Sequence, residues 1–172
     1  MKKILVASAL SMIVACGGAK PVPGGADTSA VDQAPSWLSQ GSGAFAGESG
    51  KLLQGVGVTG EGVRDPKTRR LQADGKARVE LAKSVDMLMR SLAKMSESTK
   101  ENASEELTAI GKKAAKDVSE IRDHWVQDGV ENSLEVLDLD AFKKAIARAE
   151  GDEKLKKELV NNLDRAFDQQ SK

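Results

Sequence analysis

The sequence predicts an α+β fold: a small antiparallel β-sheet covered by long α-helices, with a C-terminal helical extension. Three observations carry this. Residues 66–95 place apolar side chains at mostly three- and four-residue steps, the period of a helix with one buried face. Residues 120–137 hold two short runs around Gln127-Asp128-Gly129, and Asp-Gly between such runs is a strong hairpin signal. The order strand, long helices, hairpin, helices segregates the elements instead of alternating them, which argues for α+β.

Residues 1–15 read as an export signal. Lys2 and Lys3 supply a positive start, and residues 4–15 a short apolar run. The run is too short for a transmembrane anchor, which needs about 20 apolar residues. Ile13-Val14-Ala15-Cys16 closes it as aliphatic, aliphatic, small, cysteine. This resembles the lipobox of bacterial lipoprotein precursors, in which a peptidase cuts just before the cysteine. The thiol takes a diacylglyceryl group, because a thioether needs a soft sulfur nucleophile, and the new amine is then acylated, as with palmitate. An ordinary secretory signal with a chance cysteine is the competing reading. Cys16, however, is the only cysteine in the chain and sits where the lipobox requires it. The expected mature chain therefore starts at Cys16 and has no internal disulfide. Each buried acyl methylene contributes about 0.8 kcal/mol, so two or three chains hold the protein on a membrane without a spanning helix. Gly17 follows the cysteine. In enterobacterial-type sorting an Asp there retains lipoproteins in the inner membrane, so Gly17 points to the outer membrane, with a periplasm-facing domain favoured over a surface-exposed one.

The chain balances 26 Lys and Arg against 26 Asp and Glu; loss of Lys2 and Lys3 leaves 24 against 26. Without a basic excess there is no phosphate-tracking surface, which argues against nucleic-acid binding. Aromatic residues are 3% with no Tyr, so the core is expected to be aliphatic. Residues 16–34, rich in Gly, Ala and Pro, read as a lipidated tether with no periodicity to bury surface. Residues 41–50 read as a second loose stretch, interrupted only by Phe45.

Residues 51–59 read as a strand with Leu52, Leu53, Val56 and Val58 at its apolar positions. Gly55 and Gly57 weaken it in isolation but permit close packing against a neighbour. Asp65-Pro66 is a helix start: Asp caps open N–H groups, and Pro fits the first turn. The stripe Leu71, Ala77, Leu81, Val85, Leu88, Leu92 and Met95 follows, with Gly75 costing about 1 kcal/mol relative to Ala. A second helix is expected over residues 100–118, continuous with the first or broken near residues 96–99, with Ala103, Leu107, Ile110 and Ala114 inward. Residues 120–126 and 132–137 form the hairpin strands. Asp140 is expected to cap a helix carrying Phe142 and Ile146. A break near Gly151-Asp152 precedes a last helix with Leu155, Leu159, Leu163 and Phe167 at four-residue steps. The organisation is thus signal 1–15, tether 16–34, α+β domain 35–150 and C-terminal helix 151–172.

The succession Pro35-Ser36-Trp37, Leu53-Gln54-Gly55-Val56-Gly57, the alanine-containing helix Ala73-Asp74-Gly75-Lys76-Ala77, then Ile121-Arg122-Asp123-His124-Trp125 and Ser133-Leu134-Glu135-Val136-Leu137 resembles the Lpp-twenty family of small bacterial outer-membrane lipoproteins. The match covers residues 35–146. Gly75 departs from the family's Ala, Glu131-Asn132-Ser133 lacks its aromatic, and residues 151–172 lie outside the match. The resemblance implies a fold, a lipid anchor and an envelope role, and no catalytic residues.

Residue by residue, chemistry is sparse. Gly55-Val56-Gly57-Val58-Thr59-Gly60 matches the dinucleotide fingerprint GxGxxG, but the helix starts several residues too late and its capping Asp65 repels phosphate. His124 is the only histidine, and its neighbour Asp123 points to the opposite strand face, so a structural role is favoured over a catalytic one. Asp138 and Asp140 read as strand end and helix cap, with no calcium-loop pattern. No cofactor or metal is expected. Trp37 and Trp125 are candidates for partner contact, with core anchoring the stronger reading. Leu159 and Leu163 are candidates for pairing with a partner helix, with docking on the chain's own domain the default. The expected function is a non-enzymatic interaction or structural module of the envelope, with membrane attachment through Cys16 and an envelope protein as partner. The alternative is a small ligand-binding or enzymatic domain on the same anchor, which a sizeable pocket with converging polar groups would favour.

Overall fold

A computed structural model describes residues 34–48, 50–96 and 101–171, with the side chains of residues 101–103 excepted. The expectations for Cys16, the signal, the tether and Ala103 lie outside the described residues. In chain order the elements are α1 (Ser36–Gln40), β1 (Gly43–Gly47), β2 (Gly50–Val58), α2 (Pro66–Met95), α3 (Glu101–Val118), β3 (Glu120–Gln127), β4 (Val130–Asp138), α4 (Leu139–Arg148) and α5 (Glu153–Asp168). The four strands form one antiparallel sheet in the order β1-β2-β4-β3, packed against the long helices. The fold is α+β, as the element order implies.

The contact that sets this architecture is β2 against α2. A Cβ on Gly55 would overlap backbone atoms of Ala77 and Leu81, and one on Gly57 would overlap backbone atoms of Ala73 and Ala77. Only glycine lets a helix backbone lie this close to a strand. Ala73 and Ala77, both fully buried, are the helix's side of the same contact. The buried face of α2 therefore runs Ala73, Ala77, Leu81, Val85, Leu88 and Leu92. Leu71, expected in the stripe, is 63% exposed. The small residue two positions on takes its place, because a leucine would hold the helix off the glycines. Asp65 caps α2 as expected, its carboxylate accepting from Thr68 N at 2.7 Å. Gly75 faces open space.

Leu53 and Leu137, paired across β2 and β4, form the sheet's share of the main core. Over them pack Leu88 and Met89 of α2, Leu107 and Ile110 of α3, Phe142 and Ile146 of α4, and Leu163 and Phe167 of α5. Gly111 of α3 lies against the side chain of Met89, bringing α3 close to α2. Residues 43–47, expected as a loose stretch, pair with β2 as strand β1. Their Gly-Ala-Phe-Ala-Gly sequence carries too little apolar alternation to read as a strand, and pairing to β2 with Ala44 buried supplies what the pattern lacks.

One further expectation changes, and of the two readings of the last helix the default holds. The N-cap of α4 is Asp138, whose carboxylate accepts from Ala141 N at 2.8 Å; Asp140 sits in the first turn and pairs with Lys143 at 3.2 Å. The chain passes from β4 into α4 with no loop, so the strand's last residue is the cap. Helix α5 docks on its own domain, with Leu159 1% and Leu163 0% exposed. These two side chains are core, not partner surface, and the C-terminal helix α5 packs into the same core as α4. Lys51 of β2 and Lys143 of α4 both pair with Asp164 of α5, which pins the helix in register.

Leu81→Ala should cost about 2–5 kcal/mol, because Leu81 is buried beside Gly55. Val79→Ala, at a side chain 55% exposed, should cost less than about 0.5 kcal/mol. Urea unfolding of the two variants measures both; equal sensitivity would contradict the burial pattern. The glycines of β2 and α2 should respond in opposite directions. Gly57→Ala should destabilise by about 1–3 kcal/mol or more through overpacking, whereas Gly75→Ala should stabilise by about 0.4–1 kcal/mol. Thermal unfolding midpoints give the sign of each.

Candidate functional site

The sheet has two covered faces of different chemistry. On the face away from α2, Trp37 of α1 packs on Leu134 and Val136 of β4, with Leu38, Val56 and Trp125 at its margins. Trp37 is 7% exposed, and its Nε1 donates to Asp123 Oδ2 at 2.9 Å. A β-bulge between Ile121 and Asp123 sets the turn of β3 at this point. Trp125 is half-buried, so both tryptophans anchor this smaller cluster. The indole N–H of Trp125 is buried without a hydrogen-bond partner among the described residues.

The face under α2 carries an unusual share of polar groups at the hairpin end. Ser133 Oγ donates to Asp74 Oδ1 at 2.7 Å, and His124 Nε2 lies 2.7 Å from the same oxygen. Arg70 Nη2 lies 2.8 Å from His124 Nδ1. An arginine only donates, so Nδ1 is the acceptor and Nε2 carries the proton directed at Asp74. The 3.3 Å approach of Arg70 Nε to Nε2 is then no second bond, since that nitrogen's proton is committed to Asp74. Burial opposes ionisation of Asp74, but the bonds from Ser133 and His124, together with the charge of Arg78, outweigh it and hold its carboxyl below the ordinary range. The cluster has Ser, Asp and His, yet the carboxylate stands between the other two. A nucleophilic triad needs the imidazole in the middle, where it takes the serine proton. Ser133 is also fully buried. The arrangement ties α2 to the hairpin, which fits the structural reading of His124.

Further along the same face is a cleft of about 700 Å³ between α2, α3 and the hairpin. Leu81, Val85, Ala115 and Ile121 give it apolar walls, and Arg78, Lys112 and Lys116 lie at its mouth. Glu135 also lines it, with a side chain only 6% exposed. Glu135 sits opposite Gly55 in the β2–β4 ladder, so its side chain lies on the helix side of the sheet. Ser119 Oγ donates to Glu135 Oε1 at 2.8 Å. Oε2 has no hydrogen-bond partner among the described residues; Arg78 Nε stands 3.9 Å away, within ion-pair range but too far to bond. Among the described residues no group of three or more His, Cys, Asp or Glu is placed to hold a metal, and no helix is long and apolar enough to cross a membrane.

Compared with models of protein families and with curated proteins, the chain finds no match in either. Of the residues singled out in the sequence, the fold brings Trp37 and Trp125 together on one face and joins His124 to Asp74 on the other. Gly55 and Gly57 of the GxGxxG run lie under the α2 backbone, filled by the helix. The residues that sequence reading missed are Glu135, Ser119 and Arg78. One signal for Glu135 stood in the strand: Leu134 and Val136 flank it, so it shares a face with Leu137, which a covered sheet buries.

Asp74→Asn should destabilise the protein by about 1.5–3 kcal/mol at neutral pH, the usual loss for bonds to a charged acceptor. Because the folded-state pKa of Asp74 is depressed, its contribution is complete above the unfolded value of about 3.9 and is lost as pH falls through the folded value. The stability gap between wild type and variant should therefore narrow on acidification below about pH 4, as read from urea midpoints across a pH series.

Proposed function

We propose that this protein is a lipid-anchored lipoprotein of the bacterial outer membrane, a non-enzymatic module that presents a folded domain to an envelope partner, facing the periplasm. The observation that carries this reading is Ile13-Val14-Ala15-Cys16, with the chain's only cysteine at the end of a short apolar run behind Lys2 and Lys3. Acyl chains on Cys16 fix the location, and residues 17–34 give the domain reach. The likeness to the Lpp-twenty family belongs to the same proposal. It is supported by the order in which a Pro-x-Trp opening, a glycine strand under a helix and a Trp-bearing hairpin occur. The polar residues under α2 support a module rather than an enzyme, since His124, Asp74 and Ser133 bond one another in a non-catalytic order. With Leu159 and Leu163 in the core, partner contact falls to the hairpin edge, where β3 carries the half-buried Trp125.

A second reading, a ligand-binding domain on the same anchor, is favoured by one observation: the cleft at Glu135, with its apolar walls and converging polar groups.

Wild-type protein should carry diacylglyceryl and acyl mass on Cys16 and enter the detergent phase on partitioning. Cys16→Ser should leave an unlipidated precursor without acyl mass. Intact-mass spectrometry of the N-terminal peptide decides between them, and a wild-type chain with no acyl mass would overturn the anchor.

A further inference from the structure

We propose that the cleft between α2, α3 and the hairpin binds a small ligand with three parts: a neutral hydrogen-bond donor, an apolar body and an anionic group. This rests on the ligand-binding reading given above and names the class of ligand.

The donor follows from Glu135. Its side chain is 6% exposed, one oxygen is engaged by Ser119, and the other has no hydrogen-bond partner among the described residues. Buried carboxylate oxygens are normally satisfied, so an open one at the wall of a cleft calls for a donor from outside. That donor is a hydroxyl or N–H rather than an ammonium. Arg78 already places a positive charge 3.9 Å from the same oxygen, and a second cation there would be repelled. The Arg78 side chain is 63% exposed and too far from the oxygen to bond it, so the guanidinium can turn aside while its charge stays beside the carboxylate.

The body follows from Leu81, Val85, Ala115 and Ile121, which line about 700 Å³, a volume suited to a small organic molecule. The anionic group follows from the mouth. Lys112 is paired with Asp86 at 3.0 Å, whereas Lys116 lies exposed at the cleft with no ion pair among the described residues. Three cations at the cleft face two carboxylates, leaving one positive charge in excess.

The probe is anilinonaphthalene sulfonate, which has an N–H, an apolar ring system and an anion. Its partner is phenoxynaphthalene sulfonate, in which an ether oxygen replaces the N–H while the rings and the anion are kept. Each is titrated into the isotope-labelled full chain in a neutral detergent, and amide resonances report where it binds. The anilino probe should shift Leu81, Val85, Ala115 and Ile121 saturably. It should bind roughly tenfold or more tightly than the partner probe, the scale of one bond to a charged acceptor. Glu135→Leu should abolish that difference. Lys116→Glu, a surface change that leaves the core intact, should weaken both probes several-fold. Equal binding of the two probes in the cleft of the wild type would overturn the donor assignment and leave the ligand-binding reading standing. Unaltered affinity in Lys116→Glu would overturn the anionic part. No shift in the cleft with either probe up to millimolar concentration, or shifts confined to other residues, would overturn the ligand-binding reading itself.

Discussion

The close approach of β2 to α2 is the constraint on which the rest depends. Two missing side chains, at Gly55 and Gly57, let Ala73, Ala77 and Leu81 lie on the strand. That contact fixes the rotation of a 30-residue helix, and with it which residues meet the sheet. From the same rotation, Leu88, Met89 and Leu92 reach the helices α3 to α5, while Asp74 and Arg78 lie over the polar end of β4. Helix α2 thus works as a beam with two kinds of contact: backbone on backbone near its start, side chain on side chain toward its end.

The central strand β4 shows why the face under α2 is divided. Leu137 meets Leu53 and joins the aliphatic core, but Glu135 and Ser133 face Gly55 and Gly57, where the helix backbone takes up the space that side chains fill elsewhere. Polar groups there find partners on α2 and at the junction of α3 with β3: Ser133 with Asp74, Glu135 with Ser119. Over Glu135, between residues of α2 and α3, the cleft opens. Its location is therefore a by-product of glycine packing, not of a dedicated loop.

Much of the fold was legible in the sequence because the signals were periodic or chemical. The apolar steps of α2 and α5, the Asp-Gly turn, the cap at Asp65 and the break near Gly151-Asp152 all reflect local physics that tertiary structure left in place. Strand β1 was not legible, since its small residues have no period and only pairing defines them. Leu71 misled for a related reason: a stripe records apolarity, whereas the contact with β2 selects for smallness. The site was less legible than the fold. Alternation of Leu134 and Val136 with Ser133 and Glu135 reads as core against solvent, and nothing local tells that both faces of β4 are covered. His124 and Asp123 were correctly set on opposite faces, but their partners Asp74 and Trp37 are remote in the chain.

The strand order has a consequence for the way the chain is made. Strand β2 bonds to β1 on one edge and to β4 on the other, yet β4 follows only after all of α2 and α3. At synthesis rates of roughly 5–20 residues per second, the second edge of β2 spends several seconds without its native neighbour. An open edge invites pairing with another chain. The paired glycines make β2 a poor template in that interval, and α2, which follows directly, can cover its face before the edge is closed. The residues that let helix and strand touch in the finished protein also lower the hazard of the unfinished one.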